Sequence, residues 1–181
     1  WPRMSPRAAF TTTVTGFASA MGWSQVGIVL SAEDGLAQAA VSPDLQGRVM
    51  TSTAAGPEGA SFGWINRELL SSGINNAHMN AFGGEERFWM GPEGVQFSIY
   101  FARGVPFDFD HWFTPAPIDT EPFKLVGQSA SQARFQHAFT LTNYSGTTFQ
   151  VKLNREVRLL DNKTAWQKLG CKPSDQLSLV A

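Results

Sequence analysis

Residues 135–159 read FQHAFTLTNYSGTTFQVKLNREVRL, and the alternation in this stretch decides the fold. Phe135, His137, Phe139 and Leu141 recur at every second position, which puts them on one face of an extended chain. Asn143-Tyr144-Ser145-Gly146 has the composition of a tight turn. Beyond it Phe149, Val151, Leu153, Val157 and Leu159 share one face, and Gln150, Lys152, Asn154, Glu156 and Arg158 occupy the other. The stretch predicts a β-hairpin with one buried and one wet face, as an antiparallel sheet requires. Arg155 interrupts the apolar face. A buried guanidinium must be paired or must reach solvent, so Arg155 is expected either to meet an acid on a facing strand or to line a polar cleft.

The same period of two extends toward the N-terminus. Residues 26–30 form a short β-branched run, Glu33-Asp34-Gly35 signals a turn, and residues 37–42 return as a second strand. After Pro43, residues 47–53 read as a third strand, followed by the loop Gly56-Pro57-Glu58-Gly59. Val95, Phe97, Ile99 and Phe101 alternate with Gln96, Ser98 and Tyr100, predicting another strand with the first set inside. A helix is expected from Thr164 until Gly170 and Pro173 stop it. Residues 176–180 begin a further strand in which the chain ends. An apolar strand left open at its edge seeks a partner, so the chain is expected to be a piece of a longer protein, completed by further C-terminal strands or by a partner chain. The fold class expected is all-β, an antiparallel β-sandwich over residues 25–181.

Length and composition set the outer limits. A chain of 181 residues with 43% apolar residues and six tryptophans is long enough for one folded domain. A formal net charge of −1 gives no electrostatic footprint for nucleic acid or an anionic membrane. No run of 18 apolar residues predicts a transmembrane helix. The single cysteine, Cys171, cannot close an intramolecular disulfide and is read as a partly buried structural thiol. The histidines lack metal-site spacing, so neither a metal nor a cofactor is expected. The first 32 residues contain no Asp or Glu. Arg3 and Arg7, an apolar run and Ala18-Ser19-Ala20 follow the order of an export signal, but Thr11, Thr12, Thr13 and Thr15 weaken the run. Residues 1–24 are therefore read as an N-terminal arm or helix, or as a signal remnant.

The chemistry concentrates in residues 80–94, where four glycines, three glutamates, an arginine and a tryptophan fall together. Gly83-Gly84 permits backbone conformations that other residues resist, and Met90-Gly91-Pro92-Glu93-Gly94 reads as a second turn. Two tight turns would hold Arg87, Trp89 and Glu93 on a rigid rim. Sugars suit such a set, because aromatic faces pack on the C–H face of a pyranose while carboxylates and guanidinium groups bind hydroxyls. Trp64, His111 and Trp112 are candidates for the same rim, and an internal core tryptophan beside a solvated Glu–Arg pair is the other reading. Asp108 and Asp110 flank Phe109 and fit acid–base work, calcium binding or a solvated loop. His137, on an apolar strand face, is read as a hydrogen-bonded core histidine. His78, two residues before Asn80, is the proton-transfer candidate, since free imidazole titrates near neutrality. The prolines between Thr114 and Pro122 predict an ordered loop.

Several stretches carry a resemblance: residues 42–53, Phe62-Gly63-Trp64-Ile65-Asn66, residues 80–101, residues 114–123, residues 141–147 and Asn154-Arg155-Glu156. Together they resemble an uncharacterised family of bacterial proteins, many of them exported, which is in turn similar to the galactose mutarotase-like β-supersandwich. The resemblance runs from about residue 25 to the last residue. It implies a large antiparallel sandwich whose concave face holds a carbohydrate, on a periplasmic or extracellular protein about twice as long as this chain. In mutarotase-like enzymes an acid and a base open and reclose the sugar ring. Carried onto this sequence, the rim pattern falls on Gly83, Gly84, Arg87, Trp89, Pro92 and Glu93. The catalytic candidates are then Glu93, from this rim, and His78, from its own position in the sequence, with Arg87 and Glu93 as hydroxyl ligands and Trp89 as the stacking platform. Arg48, Asn80 and Glu85 become further polar contacts. A non-catalytic glycan-binding module and a structural half-domain are the alternatives.

Overall fold

The computed structural model describes Phe10, Thr13, Val14, residues 27–174 and Val180. The readings of residues 1–24 as arm, helix or signal remnant, and of residues 176–180 as a strand, lie almost wholly outside the described residues. The exceptions pack inward: Phe10 and Val14 bury against Ala40, and Val180 packs against the largest cluster.

The fold is mostly β, with two three-stranded antiparallel sheets and a few short helices. The first sheet is β1 (Ile28–Ser31), β2 (Gln38–Ser42) and β3 (Arg48–Thr53), in that order. The β1–β2 turn is fixed by Asp34, whose Oδ1 accepts from Leu36 N at 2.9 Å. After β2 a single 3-10 turn, Pro43–Leu45, leads into Gln46 and Gly47, both left-handed at φ 62° and 68°. Gly47 is also a close approach, since a Cβ there would stand 2.7 Å from the Phe135 ring. The second sheet is β4 (Lys124–Gln128), β5 (Gln132–Thr142) and β6 (Thr148–Arg158), with β5 central. The hairpin expected over residues 135–159 is present in register, Phe135 opposite Arg155 and Leu141 opposite Phe149.

One buried cluster joins the sheets: Leu30 from β1, Ala39 and Val41 from β2, Ala133 and Phe135 from β5, with Phe123 and Leu159. Residues 54–123 connect the sheets with little regular structure beyond α1 (Arg67–Ser72), a 3-10 turn (Phe109–His111) and α2 (Ala116–Asp119). The last element among the described residues is α3 (Asn162–Leu169), capped by Asp161, whose carboxylate accepts from Thr164 N at 2.9 Å. Among the described residues, no helix is long and apolar enough to cross a membrane.

Two expectations are corrected. Residues 95–101 are turns and not a strand, and the expected alternation breaks at Val95, Phe97, Ser98 and Tyr100, while Phe101 is buried and Gln96 exposed as expected. Val95 is left-handed at φ 59°, Ser98 N donates to the Val95 carbonyl at 3.0 Å, and Ser98 Oγ donates to the Glu93 carbonyl at 2.9 Å. Val95 and Phe97 are 65% and 57% exposed, whereas Ser98 and Tyr100 are buried. Cys171 is exposed, not partly buried.

Candidate functional site

The connection after β3 folds back along that strand. Gly63 N donates to Thr51 Oγ1 at 3.1 Å, Gly84 N to the Trp64 carbonyl at 2.8 Å, and Glu85 N to the Val49 carbonyl at 2.9 Å. Gly83 and Gly84 have φ of 91° and 107°, where a side chain is strained. A Cβ on Gly83 would also run into the Trp64 carbonyl oxygen. Arg48 lies beneath this turn, 2% exposed. Its Nη1 donates to the Gly83 carbonyl at 2.9 Å and its Nη2 to Gln46 Oε1 at 3.2 Å. Burial lowers the Arg48 guanidinium to about 10, with nearby Arg87 adding to the shift while Glu86 and Asp119 oppose it. Arg48 is thus a buttress under the glycine turn and not a surface contact for a ligand.

Arg87 closes a polar knot. Its Nη2 donates to Asp119 Oδ1 at 2.6 Å and to the Ile118 carbonyl at 3.3 Å, and its Nη1 to the Asn80 carbonyl at 3.4 Å. Asp119 also accepts from Asn80 N at 3.2 Å and Nδ2 at 2.7 Å. Asn80 Oδ1 in turn accepts from Asn76 N at 2.8 Å. Asn80, expected to face a ligand, is 1% exposed and belongs to the interior.

An aromatic row starts on the outer side of Arg87. The guanidinium carbon stands 4.4 Å from the Trp89 ring centroid, so one indole face is covered. Tyr100 lies 5.4 Å from Trp89 and stacks on Trp112 at 5.3 Å with 6° between planes. Trp89 Nε1 donates to Glu93 Oε1 at 2.6 Å, and the Tyr100 hydroxyl to the Met90 carbonyl at 2.6 Å. Burial raises the Tyr100 phenol above its ordinary value, and the Glu93 charge adds to the rise. The row continues through Phe109, 6.4 Å from Trp112, to His78, whose ring lies 4.5 Å from Phe109 and 4.7 Å from Phe113. His78 Nδ1 is 2.6 Å from the Trp112 carbonyl. A carbonyl only accepts, so Nδ1 carries a proton.

The remaining expected residues are scattered around this frame. His78 and Glu93 attach to different members of the row, Trp112 and Trp89, and no hydrogen bond or ion pair joins them among the described residues. Glu85 is exposed and accepts from Ser52 Oγ with both oxygens, at 2.9 and 2.8 Å. Trp64 is 62% exposed, held beside the turn by its own backbone. His111 pairs with Asp108 at 2.5 Å, and that hydrogen bond pulls the Asp108 carboxyl below its usual range. Among the described residues, no group of three or more His, Cys, Asp or Glu is arranged to hold a metal ion. His137 is the hydrogen-bonded histidine expected, with Nε2 2.8 Å from Glu121 Oε2 and its ring 5.1 Å from Phe123. Arg155 finds an acid, Glu86, but on the glycine turn and not on a facing strand; its Nε donates to the Gly47 carbonyl at 3.1 Å.

Asp119 and Tyr100 are central to the site and were not singled out from the sequence. The signal available for Asp119 was its place in the proline-stiffened segment, which is ordered because Pro117, Ile118 and Asp119 are all buried. Two cavities among the described residues have volumes of about 400 Å³, beside Glu33, Asp34 and Asp161, and about 270 Å³, among Leu45, Leu70, Ile74 and Phe82. Arg87, Trp89 and Glu93 line neither.

No curated protein and no solved structure matches the chain. Residues 18–181 match the profile described as "Family of unknown function (DUF6786)", and the chain belongs to that family.

Proposed function

We propose that this chain supplies an aromatic and acidic rim for carbohydrate recognition, within a galactose mutarotase-like β-supersandwich of which its two sheets form part. The observation that carries the reading is Trp64: an indole 62% exposed, whose carbonyl is pinned by Gly84 N at 2.8 Å. An exposed tryptophan on ordered backbone offers a flat apolar face at small entropic cost, which is what the C–H face of a sugar packs on. The same turn presents the Glu85 carboxylate, oriented by Ser52, and Glu93 is oriented by the Trp89 indole N–H at 2.6 Å. Both carboxylates keep acceptor capacity for sugar hydroxyls. Arg87 and Trp89 then act as the support of the rim, because Arg87 Nη1 and Nη2 are engaged by Asn80, Ile118 and Asp119 and its Nε is buried. Binding without turnover is the form of this reading that the geometry favours, since His78 and Glu93 are not paired.

Titration of the purified chain with mono- and oligosaccharides, followed by tryptophan fluorescence and NMR shifts, tests it. At least one sugar is expected to bind, and Trp64→Ala or Glu93→Gln to weaken it about tenfold, the worth of one good stacking or polar contact. Polarimetry is expected to show no faster anomer exchange. A chain that responds to no sugar sinks the reading, while accelerated exchange abolished by Glu93→Gln replaces it with an enzymatic one.

A further inference from the structure

Among the described residues β6 is an edge strand, and its ladder partner is β5 alone, over all 11 of its residues. Such an edge presents a row of N–H and C=O groups that accepts another strand. Its apolar side is also thinly covered: Val151, Leu153 and Val157 are only half-buried, and Phe149 is 45% exposed. A strand laid alongside would satisfy the backbone and cover these side chains together.

We propose that the strand is β6 of a second copy of this chain, paired antiparallel about a two-fold axis at Asn154. The charge pattern selects both the occupant and the register. With Asn154 on the axis, Lys152 faces Glu156 of the second copy, and Glu156 faces Lys152 of the second copy. On the other face Val151 meets Val157, Phe149 meets Leu159, and Leu153 meets Arg155, whose guanidinium is held within its own chain by Glu86 and the Gly47 carbonyl. Opposite charges directly across a ladder are stabilising and like charges are not. Centring on Lys152 or on Glu156 sets each opposite itself. Centring on Arg155 sets Lys152 against Arg158, and centring on Leu153 sets Lys152 against Asn154 and Glu156 against Gln150, so that neither charge meets its opposite. Registers shifted by half a step place apolar residues against polar ones. Within its own sheet Lys152 stands opposite Ala138, so its charge has no acid across the ladder, whereas Glu156 faces Arg134 and lies 3.9 Å from Arg158. The pairing joins two three-stranded sheets into one continuous sheet with β6 and its mate at the centre.

Sedimentation equilibrium on the 181-residue chain tests the proposal. The unaltered chain is expected to dimerise with rising concentration. Lys152→Glu or Glu156→Lys alone should weaken the dimer about tenfold or more, because symmetry makes each swap act twice. The double variant, Lys152→Glu with Glu156→Lys, should restore association to within about threefold of the original. Both side chains are exposed, so the folded monomer tolerates all three variants. A chain that stays monomeric, a dimer indifferent to the single swaps, or a double variant no tighter than the singles overturns the proposal.

Discussion

Asp119 shows how one carboxylate can organise a region that has almost no regular secondary structure. It is 4% exposed and receives donors from Arg87 and twice from Asn80, across 32 and 39 residues of chain. A buried ion pair adds little to stability when intact, but removing one partner strands the other charge. Asp119→Ala is expected to cost about 3–5 kcal/mol in urea or guanidinium unfolding, more than a typical surface change. A loss below about 1 kcal/mol would mean that the pair is solvated after all. Tyr100 gives a pH prediction. Its folded value lies above the ordinary 10.0, so the unfolded chain loses that proton first. The stabilisation is therefore complete below about pH 10 and is lost as pH rises beyond it. Tyr100→Phe should cost about 1 kcal/mol at neutral pH, through the hydrogen bond to the Met90 carbonyl. The variant should then lose less stability between about pH 9 and pH 11 than the unaltered chain; equal slopes would show that Tyr100 ionises alike in both states. Neither role was legible in the sequence. Asp119 is defined by partners far along the chain, and Tyr100 fell on the polar half of an alternating stretch.

At the scale of elements, period two succeeded where a strand has one dry face. Residues 135–159 gave both strands and the turn, because the sheet buries Phe135 and Leu141 while Gln136 and Thr140 stay wet. It failed at residues 95–101, where the aromatic row draws Tyr100 inward onto Trp112 and leaves Val95 and Phe97 outside. Stacking against distant rings outweighs a local pattern that a single sequence cannot weigh against it. The glycine turn was legible as a turn, but its neighbours were not: Arg48 looked like a surface ligand and proved to be the post under Gly83. That arrangement predicts a sharp intolerance. Gly83→Ala combines a φ of 91° with a collision at the Trp64 carbonyl, and should cost about 2 kcal/mol or more. It should also release Trp64, seen as a change in tryptophan emission. Gly91→Ala is the control, since a Cβ there meets nothing within 4 Å. If both substitutions cost the same, the turn is not what holds the rim.

At the scale of the molecule, the question is whether two small sheets and a long irregular connection behave as one unit. Neither sheet is wide, and three strands are close to the minimum that stands alone. Their stability must come from the cluster they share. Phe135 is its pivot, 1% exposed on β5, with the bare backbone of Gly47 against its ring and Leu30, Val41 and Phe123 in the same cluster. The Arg155 bond to the Gly47 carbonyl at 3.1 Å and the pair with Glu86 tie the second sheet to the glycine turn as well. Phe135→Ala is therefore expected to cost about 3–5 kcal/mol, a large part of the roughly 5–15 kcal/mol a domain possesses. The loss should be global. Far-ultraviolet circular dichroism, which reports the sheets, and fluorescence of Trp89 and Trp112, which reports the connection, should shift to lower denaturant by the same amount and still coincide. If the aromatic row kept its midpoint while the sheets lost theirs, the connection would be a separate folding unit. The rim proposed for Trp64, Glu85 and Glu93 would then not depend on the sheets beneath it.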